Sequence, residues 1–166
     1  MTALQIIFLI AAAATLISGL MVVTARNLVH AALWLIAALF SVAILFVLLE
    51  AGFLAAVQVV LYIGAIAILI IFAIMLTRRV MQDTGPQTNQ QWWVGAIIAV
   101  ALFAALFVVL QQVVYPEVTT AIPPDSLKAL GNSFVDPNQY MLPFELASVL
   151  LLAAMIGAIA VAGDKK

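Results

Sequence analysis

An all-α bundle of five membrane-crossing helices is the fold class this sequence predicts, and three observations carry that expectation. The 166 residues are 67% hydrophobic and only 8% charged, with a mean hydropathy of +1.29, far outside the range of water-soluble domains. Several apolar runs reach the roughly 20 residues that a helix needs to cross a hydrocarbon core about 30 Å thick. Their length and continuity differ from the segments of about ten residues, alternating in polarity, that build a transmembrane barrel.

In chain order the runs are Ala3–Val23, Leu28–Leu49, Phe53–Leu76, Trp92–Val114 and Met141–Ala162, forming one membrane domain over residues 1–166. The first lacks a basic leader and a short apolar core ending in a small-residue cleavage site, so it reads as a retained span with the mature chain beginning at Met1. Arg26-Asn27 separates the first two spans, with Asn27 placed to cap the second helix, and Glu50-Ala51-Gly52 forms a tight turn. Arg78 to Gln91 is a polar loop containing Gly85-Pro86. The fourth helix should stop at Tyr115, because Pro116 disfavours helical backbone in the residue before it.

Residues 115–140 contain Pro116, Pro123, Pro124, Gly131 and Pro137 and are too polar for lipid, which makes them an external loop. Within it, Asp125 to Gly131 reads either as irregular loop or as one or two helical turns opened by Asp125 and closed by Gly131.

Charge sets the orientation. Arg26, Arg78, Arg79, Lys165 and Lys166 follow the first, third and fifth spans, whereas the opposite side offers Lys128 beside Glu50, Glu117, Asp125 and Asp136. The positive-inside rule therefore places the N-terminus outside, on the periplasmic side, and the C-terminus in the cytoplasm. Trp92 and Trp93 then fall at the cytoplasmic interface, where indole rings are favoured.

Composition also removes whole classes of function. With no cysteine and a single histidine, haem, iron–sulfur and zinc sites built on the usual ligands are not expected, so no redox centre and no metal should sit in this chain. A net charge of −1 leaves no basic patch to displace counterions from nucleic acid. Five spans do not divide into two equal inverted halves, and between the interfaces no span carries Lys, Arg or Asp. Alone, such a chain should move no protons; it reads as one piece of a larger assembly. His30 has no carboxylate or cysteine beside it in sequence and reads as a packing or interfacial residue.

The third span holds the unusual residues. Gln58, Leu61, Tyr62 and Ala65 follow i, i+3, i+4, i+7 spacing and share one face of an α-helix, with Gly64 beside it. An unpaired amide or phenol in hydrocarbon costs about 2–7 kcal/mol, so this face should meet protein or water. Two readings stay open: Gln58 and Tyr62 bond to a neighbouring helix while Gly64, Ala65 and Ala67 permit close approach, or the helix is poised to change register at a π-bulge. Glu145 lies just after Pro143 at the start of the fifth span, as a carboxylate complementing the helix dipole or as one facing other subunits or a wet path. Glu50, at the outer end of the second span, is solvated or at headgroup level, or else part of a proton path.

These segments resemble a known family. "VLYIGAIAILIIFAIMLTRR", preceded by "GFLAAVQ", in the third span and "YMLPFELASVLLLAAMIGAIAVA" in the fifth are similar to the signatures of subunit J of bacterial NADH:quinone oxidoreductase, respiratory complex I, equivalent to mitochondrial ND subunit 6. "NLVHAALWLI", opening the second span, is similar to the family's Asn-Pro-Val-His-Ala segment, with Leu28 where proline is common. The resemblance covers all five spans, weakly in the first and fourth. It implies an obligate hetero-oligomer in the bacterial inner (plasma) membrane, packed against subunits of the A, H, K and N type, lying between the quinone site and the antiporter-like subunits. FMN, iron–sulfur clusters, NADH and quinone would be held elsewhere in the complex, with none bound by this chain.

The same resemblance implies that the third helix carries a π-bulge convertible to regular α-helix, coupling quinone reduction to proton translocation. Tyr62 and Gly64 match the family's tyrosine and glycine at the bulge, Gln58 stands where members have Gln or Glu, and Glu145 matches the glutamate of the Leu-Pro-Phe-Glu-like motif. An equivalent subunit of a complex fed by a ferredoxin-type donor, or a purely structural subunit, would leave the same sequence pattern.

Overall fold

The computed structural model of the chain describes residues 2–77, 91–113 and 125–163, helices joined by short turns and irregular links, with no strand among them. Inside a bilayer a backbone must satisfy its own hydrogen bonds, which helices do within each segment. Among the described residues five helices are long and apolar enough to cross a membrane: α1 (Ala3–Thr24), α2 (Leu28–Leu48), α3 (Gly52–Leu76), α4 (Trp92–Gln112) and α6 (Met141–Gly163). A sixth, α5 (Ser126–Val135), is short. Residues Met1–Val113 and Val114–Lys166 form two compact units. The loop around Gly85-Pro86 with Arg78 and Arg79, the expected stop at Tyr115 with Pro116, Glu117, Pro123 and Pro124, and Lys165 and Lys166 lie outside the described residues.

In the first unit α2 packs against both α1 and α3. What it buries there is small: Ala11 and Ser18 in α1, Ala32, Ser41 and Ala43 in α2, Ala55, Gln58 and Ala67 in α3. Among the described residues no large apolar side chain is fully buried. This inverts the arrangement of a soluble domain, because lipid is as apolar as leucine and supplies no drive to hide it; small residues instead let backbones approach. The buried hydroxyls are satisfied within their own helices, Ser18 donating to the Ala14 and Thr15 carbonyls and Ser41 to the Ala37 carbonyl at 2.9 Å. Every residue of α4 is exposed in the isolated chain, and so is every residue of α6 after Met141. Those apolar surfaces await lipid or other polypeptides.

The joints follow local chemistry. Asn27 caps α2 through its side-chain oxygen, which accepts from the Val29 N–H at 2.9 Å and the His30 N–H at 3.4 Å. At the other end of α2 the Ala51 N–H donates to the Phe46 carbonyl at 2.9 Å and the Glu50 N–H to the Val47 carbonyl at 3.0 Å. This is a Schellman closure, and its left-handed position is taken by Glu50, at φ 58°. Glycine is the usual occupant, since a Cβ there crowds the backbone.

In the second unit α5 runs four residues past Gly131, to Val135, instead of ending at the glycine. A mid-helix glycine costs about 1 kcal/mol against alanine, and contacts beyond it offset that: the Phe134 ring stacks on Phe144 of α6 with centroids 5.6 Å apart, and the Ser133 carbonyl accepts from the Tyr140 N–H at 3.0 Å. Asp125 occupies the N-cap position without a side-chain capping bond.

Replacing Glu50 with glycine should relieve roughly 1 kcal/mol of left-handed strain, whereas valine should add to it. The expected result is a higher thermal midpoint for Glu50→Gly and a lower one for Glu50→Val, measured on the detergent-solubilised protein.

Candidate functional site

The third helix changes its winding where its unusual residues lie. Gly52–Val57 is α-helical, Gln58–Ala67 is π-helical and Ile68–Leu76 is α-helical again. Backbone angles at both junctions remain right-handed and ordinary, φ −58° and ψ −43° at Val57 and φ −63° and ψ −43° at Ile68, so the chain passes through without a break. In the π-segment each N–H reaches the carbonyl five residues back and each turn holds more than four residues. A Cβ added at Gly64 would lie 3.4 Å from the carbonyl oxygen of Val59, five residues earlier, which is ordinary contact and admits alanine.

This winding rearranges the face that helical spacing implied. Gln58 is 7% exposed and Ala67 only 1% exposed. Nine residues in a regular α-helix make two and a half turns, which would set Ala67 opposite Gln58; wider turns bring the two into near register. Ile63 falls between them and is half-buried. Leu61, at 52%, and Tyr62, at 46%, are exposed, as are Gly64 and Ala65. The amide and the phenol therefore do not share a face: Gln58 points into the seam with α2 and Tyr62 points out.

The Gln58 amide nitrogen lies 3.4 Å from the Leu39 carbonyl oxygen of α2, close to the limit for a hydrogen bond. That carbonyl sits inside α2, so the amide uses its second acceptor site. Among the described residues no buried side-chain nitrogen or oxygen lacks a partner. Ala55 and Ala67 flank Gln58 along the seam. Of the three small residues expected to permit close approach, Ala67 lies in the seam whereas Gly64 and Ala65 are exposed, and the winding decides between them.

The candidate carboxylates are placed differently. Glu50 is exposed at the end of α2, and Glu145 is exposed in the second turn of α6, where no acidic residue occupies the first turn. No group of three or more His, Asp or Glu able to hold a metal ion occurs among the described residues. A groove of about 340 Å³ between the start of α1 and the end of α2 is lined by Leu4, Phe8, Leu45, Leu48 and Leu49, with Gln5 its one polar residue. It offers no acid, base or nucleophile.

An all-helical chain with five apolar spans, a buried amide in a π-wound segment and apolar faces left over for other molecules defines a membrane-embedded subunit type. Residues 18–161 match the family described as NADH-ubiquinone/plastoquinone oxidoreductase chain 6, and the chain belongs to that family. It is 38% identical over 159 residues to an NAD(P)H-quinone oxidoreductase chain 6 of Leptolyngbya boryana, covering 93% of this chain and 77% of the relative. A chain 6 of Nostoc sp. is 40% identical over 153 residues, covering 90% and 75%. An F(420)H(2) dehydrogenase subunit J of Methanosarcina mazei is 35% identical over 158 residues, covering 92% and 87%.

Ala67→Leu should crowd the seam and cost about 1–3 kcal/mol, seen as a lower thermal midpoint or less assembled protein. Gln58→Leu should cost under about 1 kcal/mol, because the weak bond it removes leaves the Leu39 carbonyl within the α2 ladder. Equal losses from the two substitutions would contradict this account of the seam.

Proposed function

We propose that this chain is a membrane-arm subunit of a proton-translocating NADH:quinone oxidoreductase, and that its third helix couples quinone reduction to proton movement in neighbouring subunits. The observation that carries the reading is the π-wound stretch Gln58–Ala67 in a member of the chain 6 family. π-Turns are rare and concentrate at functional sites. Nothing in the reading asks this chain to do redox chemistry: FMN, iron–sulfur clusters, NADH and quinone belong to other subunits, and this chain is non-catalytic by itself.

The winding supplies a mechanical argument. Returning Gln58–Ala67 to regular α-helix would turn Ile68–Leu76 by about half a turn relative to Gly52–Val57. Side chains now exposed, Tyr62 among them, would change surroundings, and the Gln58 amide would gain or lose its contact with α2. Such a switch responds to redox or ligand events when its two states differ by only a few kcal/mol. Gln58 carries no ionisable group, so protons passing here would use water or carboxylates of partners. In this reading the chain packs against A-, H-, K- and N-type subunits in the bacterial inner membrane, with its N-terminus outside, and Glu145 and Glu50 face partners or the wet path.

A second reading is favoured by one finding. The 35% identity to an F(420)H(2) dehydrogenase subunit J indicates that the same membrane piece serves an assembly with another electron donor. Gentle extraction followed by identification of the co-purifying subunits, and assay of NADH, F420H2 and reduced ferredoxin as donors, separates the two.

Gly64→Ala should fit the π-turn and retain coupled turnover, whereas Gly64→Leu should assemble but lose at least half of it, measured as proton uptake accompanying quinone reduction in vesicles. An assembled Gly64→Leu variant with unchanged quinone reduction and unchanged pumping would remove the coupling role.

A further inference from the structure

The short helix α5 has a two-sided surface that the proposed function does not use. Leu127, Leu130, Phe134 and Val135 occupy one arc of the ten-residue helix, with Gly131 among them, while Ala129, Asn132 and Ser133 occupy the other. Leu127 is 58% exposed and Val135 68% exposed. Lys128 stands at the border between the two sides. Ser133 keeps its hydroxyl within the helix, donating to the Ala129 carbonyl at 2.8 Å and the Leu130 carbonyl at 3.0 Å, so it makes no demand on outside partners.

The corner between α5 and α6 fixes where this surface lies. Only five residues, Asp136 to Tyr140, separate the two helices. The turn is closed by the Asp136 carboxylate, which accepts from the Asn138 N–H and from the Gln139 side-chain amide, both at 2.9 Å. The Tyr140 N–H to Ser133 carbonyl bond and the Phe134–Phe144 stack then tie the last turn of α5 to the first turn of α6. Since α6 is apolar enough to cross a bilayer from Met141 onward, α5 is held at the level where that crossing begins.

We propose that α5 lies in the membrane–water interface, its Leu127, Leu130, Phe134 and Val135 side resting on the acyl-chain boundary of phospholipids and Lys128 reaching their phosphates. The apolar arc is continuous, through Phe134 on Phe144, with the membrane-crossing surface of α6. An amphipathic helix with a cation at the edge of its apolar face and an exposed tyrosine, Tyr140, beside it matches the requirements of an interfacial helix. The role of α5 would be to hold residues 125–140 against the bilayer and fix the depth of α6. It rests on α6 crossing the membrane and on neither the electron donor nor the behaviour of α3.

The chain contains no cysteine, so a thiol label on its band in a denaturing gel reports an introduced position alone. Leu127→Cys, Val135→Cys, Ala129→Cys and Asn132→Cys are made in the intact complex and reconstituted in nanodiscs of phosphatidylethanolamine and phosphatidylglycerol, which expose both membrane faces. A polar maleimide should label positions 129 and 132 several-fold faster than 127 and 135. A benzophenone maleimide attached at 127 or 135 before reconstitution should, on irradiation, yield phospholipid adducts. Equal labelling on both sides of the helix would overturn the proposal, as would crosslinks that run to another polypeptide or to this chain itself.

Discussion

Everything in the first unit depends on how two apolar helices can hold together in a solvent as apolar as themselves. Leucine gains nothing by leaving lipid for protein, so α2 meets α1 and α3 through alanine, serine and one amide, and its contact energy comes from close backbone approach and from polar groups that already have partners. Gln58 is the exception in size and in chemistry. Its amide is too polar for lipid, so whichever way α3 is wound, Gln58 has to find protein or water. That requirement ties the winding of α3 to its contact with α2.

The π-segment adds a second consequence. A helix packed through small residues has no large side chain to withdraw from a pocket when it turns, so the cost of turning lies in what the new face brings into the seam. Ala55, Gln58 and Ala67 form a shallow seam of that kind, with bulky side chains such as Leu61, Tyr62, Ile66 and Leu69 directed away from it. A change of register in α3 would therefore move bulky groups where neighbouring polypeptides or lipid stand, and would also turn Ala67 out of the seam and bring larger side chains such as Leu61 and Tyr62 toward α2. Membership of the chain 6 family gives such a movement a setting among other subunits.

Glu50 and α5 illustrate how helix ends are settled by different forces. At Glu50 the hydrogen bonds of the Schellman closure outweigh the discomfort of a side chain in the left-handed region. At Gly131 the intrinsic weakness of glycine is overridden by the Phe134–Phe144 stack ten residues apart in sequence. Both depart from the local preference, the first through hydrogen bonds within a few residues of chain and the second through a stack between two helices that is invisible until both are placed.

By itself the sequence determined the five apolar spans, their helical character and the Asn27 cap, because each depends on hydrogen bonds and hydrophobicity within a few residues of chain. It also singled out Gln58, since a buried amide stands out against an apolar background wherever it falls. Only the tertiary structure decided which residues accompany it. Regular α spacing groups Gln58 with Leu61, Tyr62 and Ala65, whereas the π-winding replaces them with Ile63 and Ala67, a grouping visible only once the third helix is wound and set against α2.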